Sequence, residues 1–534
     1  MSLKLNKEFL KAAILIIVVT AALYANSLKN PFIWDDVVVI EKNDFTRSLK
    51  NLPSLFSPAY LTDYRKIERM DFYTKVGSGE TSYRPVTTAS YFLDYSIWKL
   101  KPFGYHLSNL LLHIFNAILL FIFIRLAVNN YHAALLTALL FALHPVNAEP
   151  VGVISFREDL LAFFFYLSSL ILYIKRHRCL SLILFFFALL SKEMAVTLPL
   201  ILILYDYFFT FGQSVKELLK NFKSRYLGYI LVLLFYLFVS FLVIGYSGFS
   251  SESGFIRFLA APKVFLTYLE WLVFPINIHV TLPDITNRFL ITPAVIFGIA
   301  GFLLSIILAI KFRKKSARVC FAVFWFLVTL LPVSNVFPLM NYIAARYLYV
   351  PSVGFCLLAA VLILKLKKYF TSLPLLILAV YFMFSFVRSA VWKDNIIIWS
   401  EMVKFYPKNA LAHSGLAASL RAGLQLDEAI EEYRHALKLD PAYAKDYSNL
   451  GSALGEKGLY EEAITCFKQA IKLDPGYISA YNNLGITYAR MKKFDEAKNI
   501  WQKALKISPD DFAINKNLIK LKKILPPPKD ANED

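Results

Sequence analysis

Between residues 9 and 391 the chain alternates long apolar runs with short polar segments. The runs lie at 9–25, 105–128, 131–145, 158–175, 178–191, 195–211, 226–245, 291–312, 317–333, 346–366 and 372–391. Each is of spanning or near-spanning length, with 131–145 and 178–191 the shortest, and together they predict eleven membrane helices. Residues 26–104 read as a long polar and aromatic loop. Residues 262–275 (PKVFLTYLEWLVFP) are apolar but short. They lie between basic loops already an odd number of spans apart, so they read as an interfacial or re-entrant helix. The first run follows Lys4, Lys7 and Lys11, as a secretory signal would. The site around Ala25 is a poor cleavage match because Leu23 stands at its −3 position, so the run reads as an anchor.

After residue 392 the apolar runs stop and a repeat begins. Pro407, Pro441, Pro475 and Pro509 are spaced by 34 residues, the tetratricopeptide period. Tyr447, Leu450, Gly451, Leu454, Ala463, Phe467 and Ala470 fill the signature positions of the second repeat. Tyr481, Leu484, Gly485, Tyr488, Ala497, Trp501 and Ala504 fill those of the third. The first keeps Leu416, Ala429, Tyr433 and Ala436, with Ala417 where the Gly belongs. The pattern predicts an all-α chain: a polytopic membrane domain over 1–392, a connecting helix over 393–407, and a solenoid of three repeats plus a capping helix over 408–524. A disordered tail over 525–534 follows. Asn449, Asn483 and Asn517 recur at the same spacing and would line the concave face, where amides can hold a peptide backbone.

Composition agrees with the pattern. Hydrophobic residues make up 57% of the 534 and aromatics 16%, above the ~45–50% apolar share of a soluble domain. The net charge of +20 sits at the ends of the apolar runs, so it reads as membrane orientation and not as a nucleic-acid surface. Lys175-Arg176-His177-Arg178, the Lys216–Arg225 group, the Lys311–Arg318 group and Lys365, Lys367 and Lys368 would all face the cytoplasm. Eleven spans then put the repeats outside, with the loops 26–104, 145–157, 191–194, 246–290 and 334–345. That predicts a bacterial inner-membrane protein with periplasmic repeats, or lumenal repeats in an endoplasmic reticulum membrane. Four cysteines without a CxxC pair give neither a disulfide framework nor a zinc site.

Chemistry concentrates in the outer segments. Asp35-Asp36 follow the first span by a few residues, between Pro31-Phe32-Ile33-Trp34 and Val37. A carboxylate against a low-dielectric wall can act as general base. Adjacent residues of an extended segment face opposite ways, so one Asp would face the reacting centre and the other would hold structure. Tyr83-Arg84-Pro85 ends the first loop, and Arg84 is suited to bidentate phosphate contact. His106, Asn109 and His113 share one face of the second span, either as packing polar groups or as a ligand-facing row. His144, Glu149, Arg157 and Glu158 surround the second outer loop. Lys192-Glu193 occupy the third, and Arg346, preceded by Asn341-Tyr342, starts the tenth span. A lipid-borne phosphate would need Lys192, Arg346 or Arg84 nearby. Without a soluble nucleotide-binding domain, any sugar donor would have to arrive through the membrane.

An acidic pair directly after the first span resembles the mark of the membrane glycosyltransferases of the C-type (GT-C) fold. Tyr83-Arg84-Pro85, Tyr105-His106-Leu107-Ser108-Asn109, His144-Pro145-Val146, Ser191-Lys192-Glu193, Arg346-Tyr347-Leu348-Tyr349 and the appended repeats extend the likeness over nearly the whole chain. In this order they resemble the transmembrane and tetratricopeptide repeat-containing O-mannosyltransferases and their bacterial relatives. Asn147, Glu158 and the count of only three repeats set the chain apart from animal members. The resemblance implies a polyprenyl-phosphate-linked mannose donor and a Ser or Thr hydroxyl on a protein acceptor. It further implies a base in the Asp35/Asp36 pair and the lipid phosphate at basic residues such as Arg346. No tightly bound cofactor is expected. Asp35, Asp36 and Glu149 could ligate a divalent metal, but the expectation is a metal-free transfer. Alternatives are a lipid or glycan acceptor, an O-antigen ligase or polymerase, and a non-enzymatic membrane-anchored repeat scaffold.

Overall fold

The computed structural model describes residues 7–56, 84–244, 254–280, 293–335, 343–367 and 369–524. Tyr83, Asn341-Tyr342 and the tail from 525, named above, lie outside the described residues. No strand occurs among the described residues. The chain divides into two compact units, Met1–Asp394 and Asn395–Asp534.

The first unit opens with α1 (Lys7–Tyr24). Next come α2 (Pro85–Trp98), α3 (Pro102–Val128), α4 (Tyr131–Leu143) and the short α5 (Ala148–Gly152). Then follow α6 (Arg157–Ile174), α7 (Arg178–Ser191), α8 (Leu198–Tyr205) and α9 (Val215–Ile244). The unit ends with α10 (Gly254–Val273), α11 (Pro293–Phe312), α12 (Ala317–Leu330), α13 (Ser352–Leu366) and α14 (Leu373–Val391). Every apolar run is helical. Six stretches are long and apolar enough to cross a membrane: Lys7–Lys29, Pro102–Val128, Glu193–Thr210, Val215–Leu242, Val295–Phe312 and Leu373–Val391. Tyr131–Leu143 and Pro145–Gly152, bent by 52°, form a seventh if they are one span. Length and composition therefore support six or seven crossings among the described residues, against the eleven read from the runs. α7, α12 and α13 are shorter than a bilayer is thick, and α6 opens on three charged residues.

Two loop readings need correction. Residues 26–104 hold α2, because Pro85 sits at a helix start where its missing N–H costs nothing, and Thr87, Tyr91, Phe92 and Asp94 give it a buried face. The helix expected at 262–275 begins at Gly254, with Pro262 inside it.

Lipid tails are as apolar as Leu, so helices in a bilayer associate through close packing and polar ties, not through burial. Both occur here. Gly354 of α13 lies against the backbone of α12 at Ala322 and Phe326, and Gly298 of α11 lies against Pro262 of α10. Ser169 Oγ of α6 and Ser181 Oγ of α7 each donate to the other's carbonyl at 2.7 Å, and the Tyr229 hydroxyl of α9 joins them at 2.6 Å. Asp206, fully buried, accepts from Tyr226 at 2.7 Å, from Tyr173, and from Arg225 at 2.6 Å.

The second unit is a run of paired helices. α15 (Asn395–Phe405) precedes α16 (Ala410–Ala422) and α17 (Leu426–Leu439). Then come α18 (Ala444–Glu456), α19 (Tyr460–Leu473), α20 (Ile478–Arg490), α21 (Phe494–Ile507) and α22 (Phe512–Ile524). Ala429, Ala463 and Ala497 are fully buried where paired helices meet. At Gly451 an added Cβ would meet the Phe467 ring at 2.9 Å. Gly451→Val is therefore expected to destabilise this unit by about 1–3 kcal/mol, as overpacking does, and differential scanning fluorimetry of the full chain checks it.

Candidate active site

Asp36 is held by a set of backbone N–H groups. The chain leaves the α1 end through Asn30, and Trp34 takes a left-handed conformation (φ 52°) just before the pair. Asp36 Oδ1 accepts the Ser155 N–H at 2.7 Å, and its Oδ2 accepts those of Ile154 at 3.3 Å and Ile33 at 3.4 Å. Burial pushes its pKa up from 3.8 to about 7, although those N–H groups oppose the shift. Asp35 beside it is also buried, at 4% exposure.

A raised carboxyl pKa makes the folded state bind the proton more tightly than the unfolded chain does. Stability from this group is therefore expected to fall as pH rises from about 4 to about 7. Melting wild type and Asp36→Asn across that window checks it: the wild type should lose stability with rising pH and the variant should not.

The cations converge. Arg84 grips Glu193 with Nη2 at 2.6 Å and Nε at 3.1 Å, and pairs with Glu158 through Nη1. Lys192 Nζ lies 2.9 Å from Glu158 and 2.7 Å from Asp159. Burial opposes the Lys192 ammonium, but Asp159 and Glu158 outweigh it and hold its pKa above the ordinary lysine value. Arg346 Nη1 pairs with Glu149 at 2.6 Å, and the Arg346 backbone N–H donates to the same carboxylate at 3.2 Å. Its guanidinium lies over the Phe156 ring at 4.1 Å and the Tyr347 ring at 5.2 Å, while Lys192 Nζ is 5.7 Å from the Tyr347 ring. Arg346 Nε and Nη2 and the Tyr347 hydroxyl make no hydrogen bond among the described residues.

Residues 154–159 tie the acidic pair to the cations. Ile154 and Ser155 bond Asp36, Phe156 stacks on Arg346, and Glu158 and Asp159 pair with Arg84 and Lys192.

Other residues singled out in the sequence are bound into the frame. Arg157, 1% exposed, pairs with Asp94 at 2.6 Å and donates to Asn109 Oδ1 at 2.7 Å and the Tyr105 carbonyl at 2.9 Å. His113 bonds the Tyr349 hydroxyl at 2.7 Å and the Ala142 carbonyl at 3.2 Å. His144 bonds the Leu272 carbonyl at 3.1 Å through Nε2 and accepts the Val146 N–H through Nδ1. His106 is fully buried against the Asn30 and Pro31 carbonyls without a well-aligned hydrogen bond. On α3, Asn109 and His113 are thus tied into the packing, while His106 is buried without such a tie. Asp35, Asp36 and Glu149 are not part of any metal-holding group of three among the described residues. In the repeats, Asn483 donates to Ser452 Oγ at 3.2 Å and Asn517 to Asn482 Oδ1 at 2.9 Å, while Asn449 is half-buried.

Sequence reasoning noted Asp159 and Glu193 beside residues that it selected and Tyr347 within a motif, but gave none of them a role. It passed over Phe156, an aromatic with no local signal of its own.

A family model described as "TPR repeat" matches residues 419–458 and 453–492, and one described as "Tetratricopeptide repeat" matches 478–511. A protein O-mannosyl-transferase of Caenorhabditis elegans is 27% identical over 453 residues, covering 79% of this chain and 61% of that protein. Over most of its length the chain is thus similar to protein O-mannosyl-transferases, and its C-terminal part carries tetratricopeptide repeats. Human protein O-mannosyl-transferase TMTC3 is 25% identical over 488 residues, covering 81% of this chain and 52% of its own length. Human TMTC2 is 30% identical over 225 residues, covering 38% of this chain and 25% of its own. The chain thus spans little more than half the length of the relatives that match most of it. The crystal structure of MamA, 26% identical, covers 24% of this chain and 75% of its own, with a TM-score of 0.23. Its apolar helices make this O-mannosyl-transferase relative a membrane protein.

Proposed function

We propose that this chain transfers a mannose-like sugar from a polyprenyl-phosphate carrier to a Ser or Thr hydroxyl of a protein. The observation that carries the reading is the 154–159 segment, which holds an acidic pair beside a cationic group in a membrane domain. The names of the relatives supply the sugar and the acceptor class.

Both Asp36 oxygens accept backbone N–H groups, which gives Asp36 the role of positioning the segment. The base in this reading is its buried neighbour Asp35. The acceptor oxygen attacks the anomeric carbon, its proton passes to Asp35, and the bond from that carbon to the phosphate oxygen breaks. The leaving phosphate is received by Arg346 through Nε and Nη2 and by the Tyr347 hydroxyl, with Lys192 adding charge. Arg84, with its donors on Glu158 and Glu193, braces Lys192. The repeats offer a surface for the protein acceptor or a partner, on the outer side of the membrane.

Purified protein given polyprenyl-phosphate mannose and an acceptor peptide should release the lipid phosphate and form glycopeptide. Release without glycopeptide would point to a lipid or glycan acceptor, and no release would end the reading. Tyr347→Phe is expected to lower kcat about tenfold, the scale of one hydrogen bond to a charged group, and rates under saturating donor check it.

A further inference from the structure

A cavity of about 400 Å³ lies between α10, α11 and α12, with no charged residue among its described lining. Val264, Phe265, Ile299, Leu303, Leu327 and Leu330 line it, and Ser334 is the one polar side chain on its wall among the described residues. Such a wall cannot satisfy a sugar or a phosphate, because a buried polar group without a partner is costly. It suits a hydrocarbon chain, and its volume falls within the usual range of ligand sites.

The position of the cavity says which hydrocarbon. Val264, Phe265, Leu327 and Leu330 belong to the same buried apolar cluster as Ala345, Tyr347 and Leu348. One turn along α10 from Phe265, the Tyr268 hydroxyl accepts the Ala344 N–H at 3.3 Å, fixing the segment that carries Arg346. Tyr347 thus packs in the same apolar cluster as four residues of the cavity wall, and its ring lies beside Arg346 and Lys192. On the other side Ile299 and Leu303, 47% and 51% exposed, leave the cavity open to the bilayer. A single amphipathic molecule can enter from the membrane, lay its tail against these helices and bring its phosphate to Arg346.

We infer that this cavity seats the hydrocarbon tail of the lipid-linked sugar donor. The inference rests on the sugar-transfer reading, and donor chain length separates the two. Full-length protein is assayed with mannosyl-phosphoryl-undecaprenol and with the short mannosyl-phosphoryl-citronellol, in wild type, Ile299→Trp and Leu303→Trp. Both positions face the bilayer, so the bulkier ring is tolerated, and a melt of each variant confirms folding. Wild type should show a lower KM for the long donor. Each Trp should raise that KM roughly tenfold, as losing about two buried methylenes would, and leave the short donor's KM unchanged. Equal KM values for both donors in wild type, as expected if ordinary membrane lipid fills the cavity, would overturn the inference while sugar transfer stands. So would Trp variants that weaken both donors alike. Turnover of neither donor would overturn the transfer reading and the inference together.

Discussion

Asp35→Asn lowers sugar transfer about a thousandfold with little change in donor KM, the expected loss when a general base is removed. The amide is isosteric, so the backbone around Trp34 and Val37 is undisturbed and the acceptor still docks. What disappears is the lone pair that takes the hydroxyl proton. Asp36→Asn should behave differently. Asp36 accepts from Ser155, Ile154 and Ile33 with both oxygens, and an amide would turn an NH2 toward one set of those donors. That variant should melt lower and transfer more slowly through misplacement of residues 154–156. Rates and melts measured together tell the two apart. An Asp35→Asn protein with wild-type turnover would move the base to Asp36 or outside the pair.

Lys192→Met carries the largest expected loss of stability. Lys192, 3% exposed, is the shared partner of Glu158 and Asp159, and removing it leaves two buried carboxylates side by side. Breaking a buried pair from one side costs on the order of 3–5 kcal/mol, because Asp159 then has neither water nor that partner, while Glu158 keeps Arg84. Methionine matches the aliphatic stem, so the loss reports charge and not volume. Adding Asp159→Asn to Lys192→Met should recover part of the loss, a coupling that a double-mutant cycle of melting midpoints measures. Simple additivity of the two changes would mean that the pair at 2.7 Å contributes nothing specific.

The helices were readable because apolar runs and a 34-residue repeat are local signals. Crossing number was less so, since α7, α12 and α13 are apolar but short, and composition cannot say whether a short helix crosses. Pro85 was visible in the sequence, yet the polar stretch around it hid α2. The cations Arg84, Lys192 and Arg346 could be named from residue type, but their carboxylate partners span 109, 33 and 197 residues. Pairings at that separation leave no local trace. The same holds for Arg157, which residue type marked as a ligand group. Four surrounding partners on α2 and α3 use its donors, and none of them adjoins it in sequence. Asp206 is a counterexample, since an acid within the 195–211 run was itself a readable sign of a buried polar centre.

Residues 154–159 have a consequence for coupling. In the proposed mechanism the neighbour of the base and the phosphate receptor touch one short stretch. The Ser155 N–H holds Asp36, and Phe156 next to it lies against Arg346. A donor phosphate arriving at Arg346 would thus be felt at the acidic pair through a single turn of backbone.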